Sequence, residues 1–224
     1  MTFKKWAQNW DKLLKSKEYC FSLFLSLVIW VAGYFFYKVV IEYVEGFKNL
    51  NPVGDLLLQI LPAADLRYLY VYGITFTLLF LLFYMVYRRP DMIPFGLKFF
   101  AAVFIVRAVF ISLTHLGPPE GFYITAIAPS FDYWPMNHMM HSNDLFFSGH
   151  VAYPFMAALL FKNVRWMFHL FLWISILMAI TVLVMRIHYS IDVFAAYFIV
   201  YGVYAVVIRL FGRRDLSFHR LLTH

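Results

Sequence analysis

Charged residues are scarce in this sequence, because Asp, Glu, Lys and Arg together make up only 14% of its 224 residues. Hydrophobic residues make up 63% and aromatic residues 21%, and the mean hydropathy is +0.71. A chain of this length needs far more polar side chains to cover the surface of a soluble globule. The composition therefore excludes a soluble domain and predicts an integral membrane protein.

Cysteine and acidic residues are also in short supply. The single cysteine, Cys20, excludes an internal disulfide and cannot form a thiolate metal cluster alone. Twelve acidic residues stand against 19 lysines and arginines, which gives a formal charge of +7. The basic residues lie in short clusters between apolar runs, as the charges that set membrane topology do, so we do not expect nucleic acid to bind.

Long apolar runs predict the fold. Residues 1–19 combine lysines with Trp6 and Trp10, a pattern typical of an amphipathic helix on a membrane surface. The first apolar run lacks a small-residue cleavage site and is interpreted as a retained span. A helix needs about 20 residues to cross about 30 Å of hydrocarbon. The runs near that length are 20–41, 67–87, 96–115, 146–161, 166–185 and 191–211. We therefore expect an all-α protein with six transmembrane helices in a single membrane domain, residues 1–224.

The distribution of charge predicts how these spans are oriented. With the N-terminus in the cytoplasm, most lysines and arginines fall in inner segments, whereas the outer loops 42–66 and 116–145 hold many of the acids. The positive-inside rule therefore favours cytoplasmic N- and C-termini. The same orientation places the stretch that ends at His150 and the turn that carries His188 together on the exoplasmic side.

His188 and Asp192 are four residues apart at the start of the sixth predicted span, so on a helix they share one face. The carboxylate can then hydrogen-bond one ring nitrogen and leave the other free, as the orienting acid of a catalytic triad does. The alternative is a histidine that is merely satisfied by a nearby acid at a helix start. The second histidine on the same side of the membrane favours the catalytic interpretation.

Ser148, Gly149 and His150 open the fourth predicted span. The free N–H groups and the positive end of a helix attract an anion there, and glycine lets the backbone come close to it, so a phosphate would fit. In that arrangement His150 would act as the general acid on the leaving oxygen, while His188 attacks phosphorus in line.

Phosphoryl oxygens also need cations, and the candidates are Arg107 and Arg186. Arg107 lies inside the third predicted span, where an unpaired charge is costly and usually marks either function or a buried ion pair. Arg186 precedes His188 by two residues. Either guanidinium could hold a phosphate through bidentate hydrogen bonds. The alternatives are a structural ion pair with an outer acid for Arg107 and snorkelling to the membrane interface for Arg186.

Residues 147–150, Phe-Ser-Gly-His, and residues 188–193, His-Tyr-Ser-Ile-Asp-Val, resemble one branch of a known superfamily. It is the sphingomyelin-synthase-like branch of the type 2 phosphatidic acid phosphatase (PAP2) superfamily of lipid phosphatases and phosphotransferases. The resemblance covers about residues 107–197, and the six-span plan extends it to nearly the whole chain.

The resemblance implies roles for individual residues. His188 is expected to be the nucleophile that forms a phosphohistidine, and Asp192 to be its orienting acid. His150 is expected to be the acid, and then the base, of the two half-reactions. Asp144, six residues before His150, matches an acid that precedes Ser-Gly-His in the synthase-like branch.

The basic residues depart from the classical members of the superfamily. Those members have a lysine followed, after six residues, by Arg-Pro; here Arg107 can stand for the lysine, but Thr114 and His115 replace Arg-Pro. The arginine expected six residues before the nucleophilic histidine is Val182, which leaves Arg186 as a possible substitute. The departures favour the synthase-like branch, which also lacks these arginines, and leave hydrolysis and transfer both open.

The outer loop contains further candidates. His138 and His141 have a spacing that could bind a metal, but the sequence offers no third ligand of known proximity. Phe131, Tyr133 and Trp134 could line an entrance for lipid or for a cationic headgroup. An aromatic belt at the membrane interface is the alternative for these three.

We therefore expect a multi-pass enzyme of the plasma or inner membrane, with its active site on the exoplasmic or periplasmic side. It would transfer a phosphoryl group or phospho-headgroup from a membrane lipid to water, an alcohol or a lipid acceptor. No metal or other cofactor is expected, because arginines and backbone amides would neutralise the charge.

Two other classes of function stay open at this point. One is a protein that binds lipid or carries it across the bilayer without chemistry, which the missing arginines favour. The other, a haem-binding electron carrier, is disfavoured because His150 and His188 lie at predicted helix ends beside acids.

Overall fold

A computed structural model describes residues 2–48, 50–121 and 144–223, and the described chain is helical, without strands. The helices are α1 Phe3–Lys15, α2 Lys17–Glu45, α3 Leu56–Ile60, α4 Arg67–Arg88, α5 Ile93–Leu113, α6 Gly149–Leu160, α7 Arg165–Val184 and α8 Ser190–Val207. A 3₁₀ turn, Pro90–Met92, precedes α5, and α8 continues through a π-helical turn, Ile208–Gly212, into a short helical C-terminal segment. The all-α prediction is confirmed.

Five described helical stretches are long and apolar enough to cross a membrane, and they coincide with five of the six predicted runs: Lys17–Glu45, Arg67–Arg88, Pro90–Leu113, Arg165–Val184 and Ser190–Leu222. The predicted run 146–161 forms only the 12-residue helix α6. At 1.5 Å per residue α6 is about 18 Å long, which is shorter than the hydrocarbon layer. The six-span count is therefore not confirmed.

Helix α6 is short because it is an interior element. Most of its residues are buried, and it packs against α4, α5, α7 and α8. Pro154 is the sixth residue of the helix, so its missing N–H removes one bond of the hydrogen-bond ladder, the one to the carbonyl of residue 150. Neighbouring protein covers the apolar side chains of α6, so the helix does not need the length of a lipid-facing span.

The N- and C-terminal segments pack together at one end of the bundle. Leu13, Tyr19 and Phe218 form a small buried cluster, and the rings of Tyr19 and Phe218 meet edge to face at 5.3 Å. The indole N–H groups of Trp6 and Trp10 both donate to the carbonyl of Val86 at 3.1 Å. We call this the terminal end of the bundle, and the opposite end, where α6 and α8 begin, the loop end.

A buried ion pair fixes the C-terminal segment to the helices. The Lys98 ammonium donates to Asp215 Oδ2 and to Ser22 Oγ, both at 2.6 Å, and the Ser22 hydroxyl donates to Asp215 Oδ1 at 2.7 Å. All three side chains are at most 3% exposed. The three groups satisfy one another, as buried charges must, and they join α2, α5 and the C-terminal segment.

Candidate active site at the loop end of the bundle

His188 lies immediately before α8, next to the carboxylate of Asp192 in the first turn. Both side chains are buried, at 3% and 0% exposure. His188 Nδ1 is 3.5 Å from Asp192 Oδ2, and the same oxygen accepts a hydrogen bond from the backbone N–H of Tyr189 at 3.0 Å. The His–Asp contact is thus longer than a well-formed hydrogen bond, and Asp192 both caps the helix and lies beside the imidazole.

Ser148 and His150 start helix α6, which meets the start of α8. The backbone N–H of Ser148 donates to the carbonyl of Asp192 at 3.3 Å. The two histidine motifs, well separated in sequence, therefore meet in one site where two helices begin.

Unpartnered buried atoms concentrate at this meeting point. Among the described residues, the buried side-chain atoms without a hydrogen-bond partner are Asp144 Oδ1, Ser148 Oγ, His188 Nδ1 and Asp192 Oδ1. Asp144 Oδ1 has an ion-pair partner, Arg107, at 2.8 Å. A buried polar atom left unpaired costs about 1–3 kcal/mol, so a cluster of them requires an explanation. The other three atoms all belong to the two histidine motifs.

Arg107 is a buried cation with several protein partners. Its NH1 donates to Asp144 Oδ2 at 2.9 Å, Nε donates to the carbonyl of Phe147 at 2.7 Å, and NH2 donates to the carbonyl of Asp144 at 3.3 Å. The hydroxyl of Tyr37, from α2, donates to Asp144 Oδ2 at 2.5 Å. Arg107 therefore holds the segment that leads into α6 through an ion pair with an outer acid, the structural alternative raised by its sequence position.

Arg107 also borders the two histidine motifs. A Cβ placed on Gly149 would lie 3.7 Å from Arg107 Nε. The predicted phosphate candidates Arg107, Asp144, Ser148 and Gly149 thus lie next to one another. Arg107 and Asp144 are joined as a pair, whereas Ser148 and Gly149 form the start of α6.

Arg186 lies on the outer side of the same turn. Its backbone is left-handed, with φ of 53°, and its NH1 donates to the carbonyl of Glu120 at 3.2 Å. It lines a shallow cavity of about 150 Å³ with Asp55, Glu120 and Tyr189. Within the described ranges no hydrogen bond or ion pair joins Arg186 to either histidine.

Sequence reasoning missed several residues that position the site. The ring of Tyr70, from α4, stacks on His150 with centroids 3.8 Å apart. Tyr37 secures Asp144, and the Tyr189 hydroxyl donates to the carbonyl of Gly117 at 2.7 Å and accepts from Val53 N–H at 3.1 Å. These partners come from distant parts of the chain, and no local pattern indicates them.

Asp55 is a further missed residue, although an acid directly before Leu-Leu-Leu is an N-cap signal. Its Oδ1 accepts from the backbone N–H groups of Leu57 and Leu58 at the start of α3, at 2.9 and 3.2 Å. Its Oδ2 accepts from the N–H of Ser190, the first residue of α8, at 2.6 Å. Asp55 thus ties an outer loop to the helix start beside His188.

Replacing Asp55 with alanine is expected to lower stability by about 1 kcal/mol, as loss of a cap does. Burial alone would raise the pKa of Asp55, but hydrogen bonds from the amides of Ser190, Leu58 and Leu57 hold it below its ordinary value. This stabilisation is present above the unfolded pKa of about 3.9 and is lost as pH falls through the lower folded pKa. Thermal unfolding in detergent at pH 7 and at decreasing acid pH measures both effects.

The matched control for this prediction is Glu42→Ala, which removes an exposed acid at the loop end. We expect it to unfold like wild type at every pH. If Asp55→Ala kept the full acid sensitivity of wild type, Asp55 would not be the group that links folding to pH.

The outer-loop candidates His138, His141, Phe131, Tyr133 and Trp134 lie outside the described residues. His169, in the second turn of α7, is at the terminal end, where its Nδ1 is 2.7 Å from the carbonyl of Arg165.

The fold and the site together define a polytopic helical membrane protein with two histidines at the meeting point of two helix starts. Residues 141–209 match the family model described as PAP2 superfamily C-terminal, and the matched region contains both histidine motifs. The match supports the resemblance to the PAP2 superfamily, and it does not distinguish the sphingomyelin-synthase-like branch. No curated protein and no solved structure gives a significant match to the chain.

Proposed function

We propose that this protein is a membrane lipid phosphatase or phosphotransferase that works through a phosphohistidine at His188. The observation that carries the proposal is the cluster of buried, unpartnered polar atoms Ser148 Oγ, His188 Nδ1 and Asp192 Oδ1 where α6 and α8 begin. A bound phosphate would accept a hydrogen bond from the Ser148 hydroxyl, and the imidazolium that forms during the reaction would donate from His188 Nδ1 to Asp192. The family match supports the same reaction class.

The first half-reaction forms the phosphohistidine. With Nδ1 facing Asp192, the Nε2 lone pair of His188 attacks phosphorus in line, and the bond from phosphorus to the ester oxygen breaks. His150 gives its proton to the departing oxygen, which leaves as an alcohol. Asp192 holds the ring in place and stabilises the positive charge that develops on it.

The second half-reaction regenerates the enzyme. His150, now neutral, takes a proton from water or from an acceptor alcohol, whose oxygen attacks phosphorus while the phosphorus–nitrogen bond breaks. Water gives hydrolysis, and an alcohol or lipid acceptor gives transfer. After either hydrolysis or transfer, His188 is neutral and His150 is protonated, as at the start of the cycle.

The start of α6 would hold the phosphate oxygens. Ser148, the N-cap residue, makes no side-chain capping bond, so its hydroxyl and the first N–H groups of the helix are available to an anion. Gly149 lacks a side chain that would cover these groups. Arg107 supplies a fixed positive charge behind Gly149, and Asp144 keeps Arg107 in position. Arg186 remains a predicted phosphate ligand. To bind phosphate through NH1, it would have to break its hydrogen bond to the Glu120 carbonyl.

The substrate we propose is a phosphate ester of a membrane lipid. On the basis of the positive-inside rule we propose that the loop end faces the exoplasmic side and that both termini lie in the cytoplasm. A lipid of the outer leaflet would then reach His188 from the membrane, and water or an acceptor alcohol would reach it from outside. No metal ion enters the steps above, because protein dipoles and cations would neutralise the charge.

Trapping the phosphoenzyme tests this mechanism. p-Nitrophenyl phosphate has a leaving group that departs without protonation, so His150→Ala should still be phosphorylated but should lose the base for the second step. We expect ³²P-labelled substrate to leave an acid-labile, base-stable label on His150→Ala, and no label on the His150→Ala, His188→Ala double variant. Equal labelling of the two variants would exclude His188 as the nucleophile.

The same variant tests the proposed sidedness. p-Nitrophenyl phosphate does not cross membranes readily, so we expect labelling of sealed vesicles whose loop end faces outward. Vesicles of the opposite orientation should be labelled only after they are opened with detergent. The reverse pattern would contradict an exoplasmic active site.

A second candidate function is lipid binding or translocation without chemistry. The observation that favours it is that both candidate arginines already have protein partners, Asp144 for Arg107 and the Glu120 carbonyl for Arg186. This alternative predicts lipid binding that survives alanine at both His150 and His188, with no label in the trapping experiment.

A further inference from the structure

A second polar cavity lies at the terminal end of the bundle, far from the two histidine motifs. Its volume is about 210 Å³, room for several water molecules. Its floor consists of buried apolar side chains, among them Met92, Phe95 and Phe161. Its rim includes Lys162, Asn163 and His219, which are exposed. We call it the terminal cavity.

The charges around the terminal cavity are mostly positive. Arg89, Lys162 and His219 line it, and the carboxylate among its lining residues is Asp91. Arg89 engages Asp91 through Nε and NH2, at 3.1 and 2.9 Å. Asp91 is 2% exposed and also lies 3.5 Å from His219 Nδ1. The lining therefore contains one carboxylate, two permanent cations and a histidine, which leaves an excess of positive charge.

Lys162 is the second permanent cation of the cavity lining, and Asp91 is already paired with the first, Arg89. Its ammonium lies 5.2 Å from the centroid of the Tyr204 ring, and none of the described carboxylates forms an ion pair with it. A lysine held over an aromatic face at a cavity rim keeps donors for an incoming anion.

The backbone at the start of α7 adds to the positive potential of the terminal cavity. Val164, which lines the cavity, is the N-cap residue of the 20-residue helix α7, and it makes no side-chain capping bond. Valine has no side-chain acceptor, so Val164 cannot cap the first N–H groups of α7. The positive helix end and Lys162 act in the same direction on an anion.

We propose that the terminal cavity binds a phosphate-bearing anion, with Lys162, His219 and Asn163 as its donors. The phosphate group comes either from an anionic phospholipid headgroup, whose acyl chains would continue along the apolar side, or from a free phosphate in solution. This site is separate from the reaction at His188, because the two lie at opposite ends of the bundle and share no residue.

Binding measurements on the full-length protein in detergent test the site. The variant Lys162→Gln, His219→Gln removes two exposed donors, and we expect it to weaken binding about tenfold. Inorganic phosphate titrated by calorimetry is the first probe. Phosphatidylglycerol retained in native mass spectrometry is the second, and phosphatidylcholine serves as its zwitterionic reference. If the variant binds only the lipid more weakly than wild type does, the phosphate group comes from a lipid headgroup. If it also binds inorganic phosphate more weakly, a free anion is sufficient.

The matched control is Lys12→Gln, His169→Gln, which removes the same two residue types from exposed positions of the terminal end outside the cavity. It should bind both probes like wild type. Asn163→Trp fills the cavity without a change of charge and should reproduce the loss. The proposal is overturned if Lys162→Gln, His219→Gln binds both probes with wild-type affinity, or if Asn163→Trp leaves binding unchanged.

Discussion

Replacing His188 with alanine is expected to reduce the release of phosphate or the exchange of headgroup to background, a loss on the order of 10⁴-fold or more. The variant lacks the atom that would bond to phosphorus, and no neighbouring group can take its place: Asp192 is held by the Tyr189 amide and His150 is stacked on Tyr70. Turnover of a panel of lipid phosphates in mixed micelles, with and without an added alcohol acceptor, measures the effect.

The alcohol also separates the two reactions that the site could perform. A hydrolase would release phosphate at a rate that hardly depends on the alcohol, whereas a transferase would form the new phosphate ester in preference to free phosphate. Both products should disappear together in His188→Ala, because both reactions pass through the same phosphohistidine.

The control for His188→Ala is His169→Ala, which removes an exposed histidine at the terminal end. It should retain wild-type turnover. His188 is buried, so its replacement also leaves a small cavity and costs some stability; a thermal midpoint recorded for each variant separates that loss from a loss of chemistry. If folded His188→Ala turned over substrate at the wild-type rate, the proposed enzymatic mechanism would be wrong.

Most of the helical architecture could be predicted from the sequence because lipid-facing helices must be both long and apolar. The helices differ from the predicted apolar runs where side chains and packing determine where a helix begins and ends. Helix α2 starts at Lys17 rather than at residue 20, because Ser16 accepts a hydrogen bond from the Tyr19 amide and caps it. Helix α6 is 12 residues long because it lies inside the bundle, which hydropathy alone does not reveal.

The candidate site could be predicted only in part, for a similar reason. His188 lies in the turn just before α8 and Asp192 in the first turn of that helix, so their proximity follows from local geometry over four residues. The contacts of Tyr37 with Asp144 and of Tyr70 with His150 join residues far apart in sequence, and they depend on how helices pack. The residues proposed to react can therefore be recognised locally, whereas those that would position them can be identified only from the tertiary structure.

The Arg107–Asp144 pair makes the second prediction with a large effect. Asp144→Ala is expected to lower the free energy of unfolding by about 3–5 kcal/mol, because it leaves a guanidinium that is 4% exposed without its counter-ion. The double variant Arg107→Met, Asp144→Leu removes both charges and should recover most of that loss. Thermal unfolding in detergent, read alongside kcat and KM, measures both variants.

The terminal end offers a matched control in its own buried ion pair. Asp215→Ala likewise leaves the buried Lys98 ammonium without its counter-ion. It should therefore lower the free energy of unfolding by a similar amount, while each folded molecule keeps its activity. A loss of activity confined to the loop-end pair would then report on the site and not on stability alone.

The kinetics of the double variant decide what Arg107 does. All three guanidinium nitrogens of Arg107 already donate to protein acceptors, which are the carboxylate and carbonyl of Asp144 and the carbonyl of Phe147. We therefore infer that Arg107 positions the start of α6 and does not bind the phosphate directly. A positioning role predicts a lower kcat with KM nearly unchanged, since the binding groups of Ser148 and Gly149 remain but are less well placed. A KM raised more than about tenfold at wild-type kcat would instead make Arg107 a direct phosphate ligand, released from Asp144 when substrate arrives.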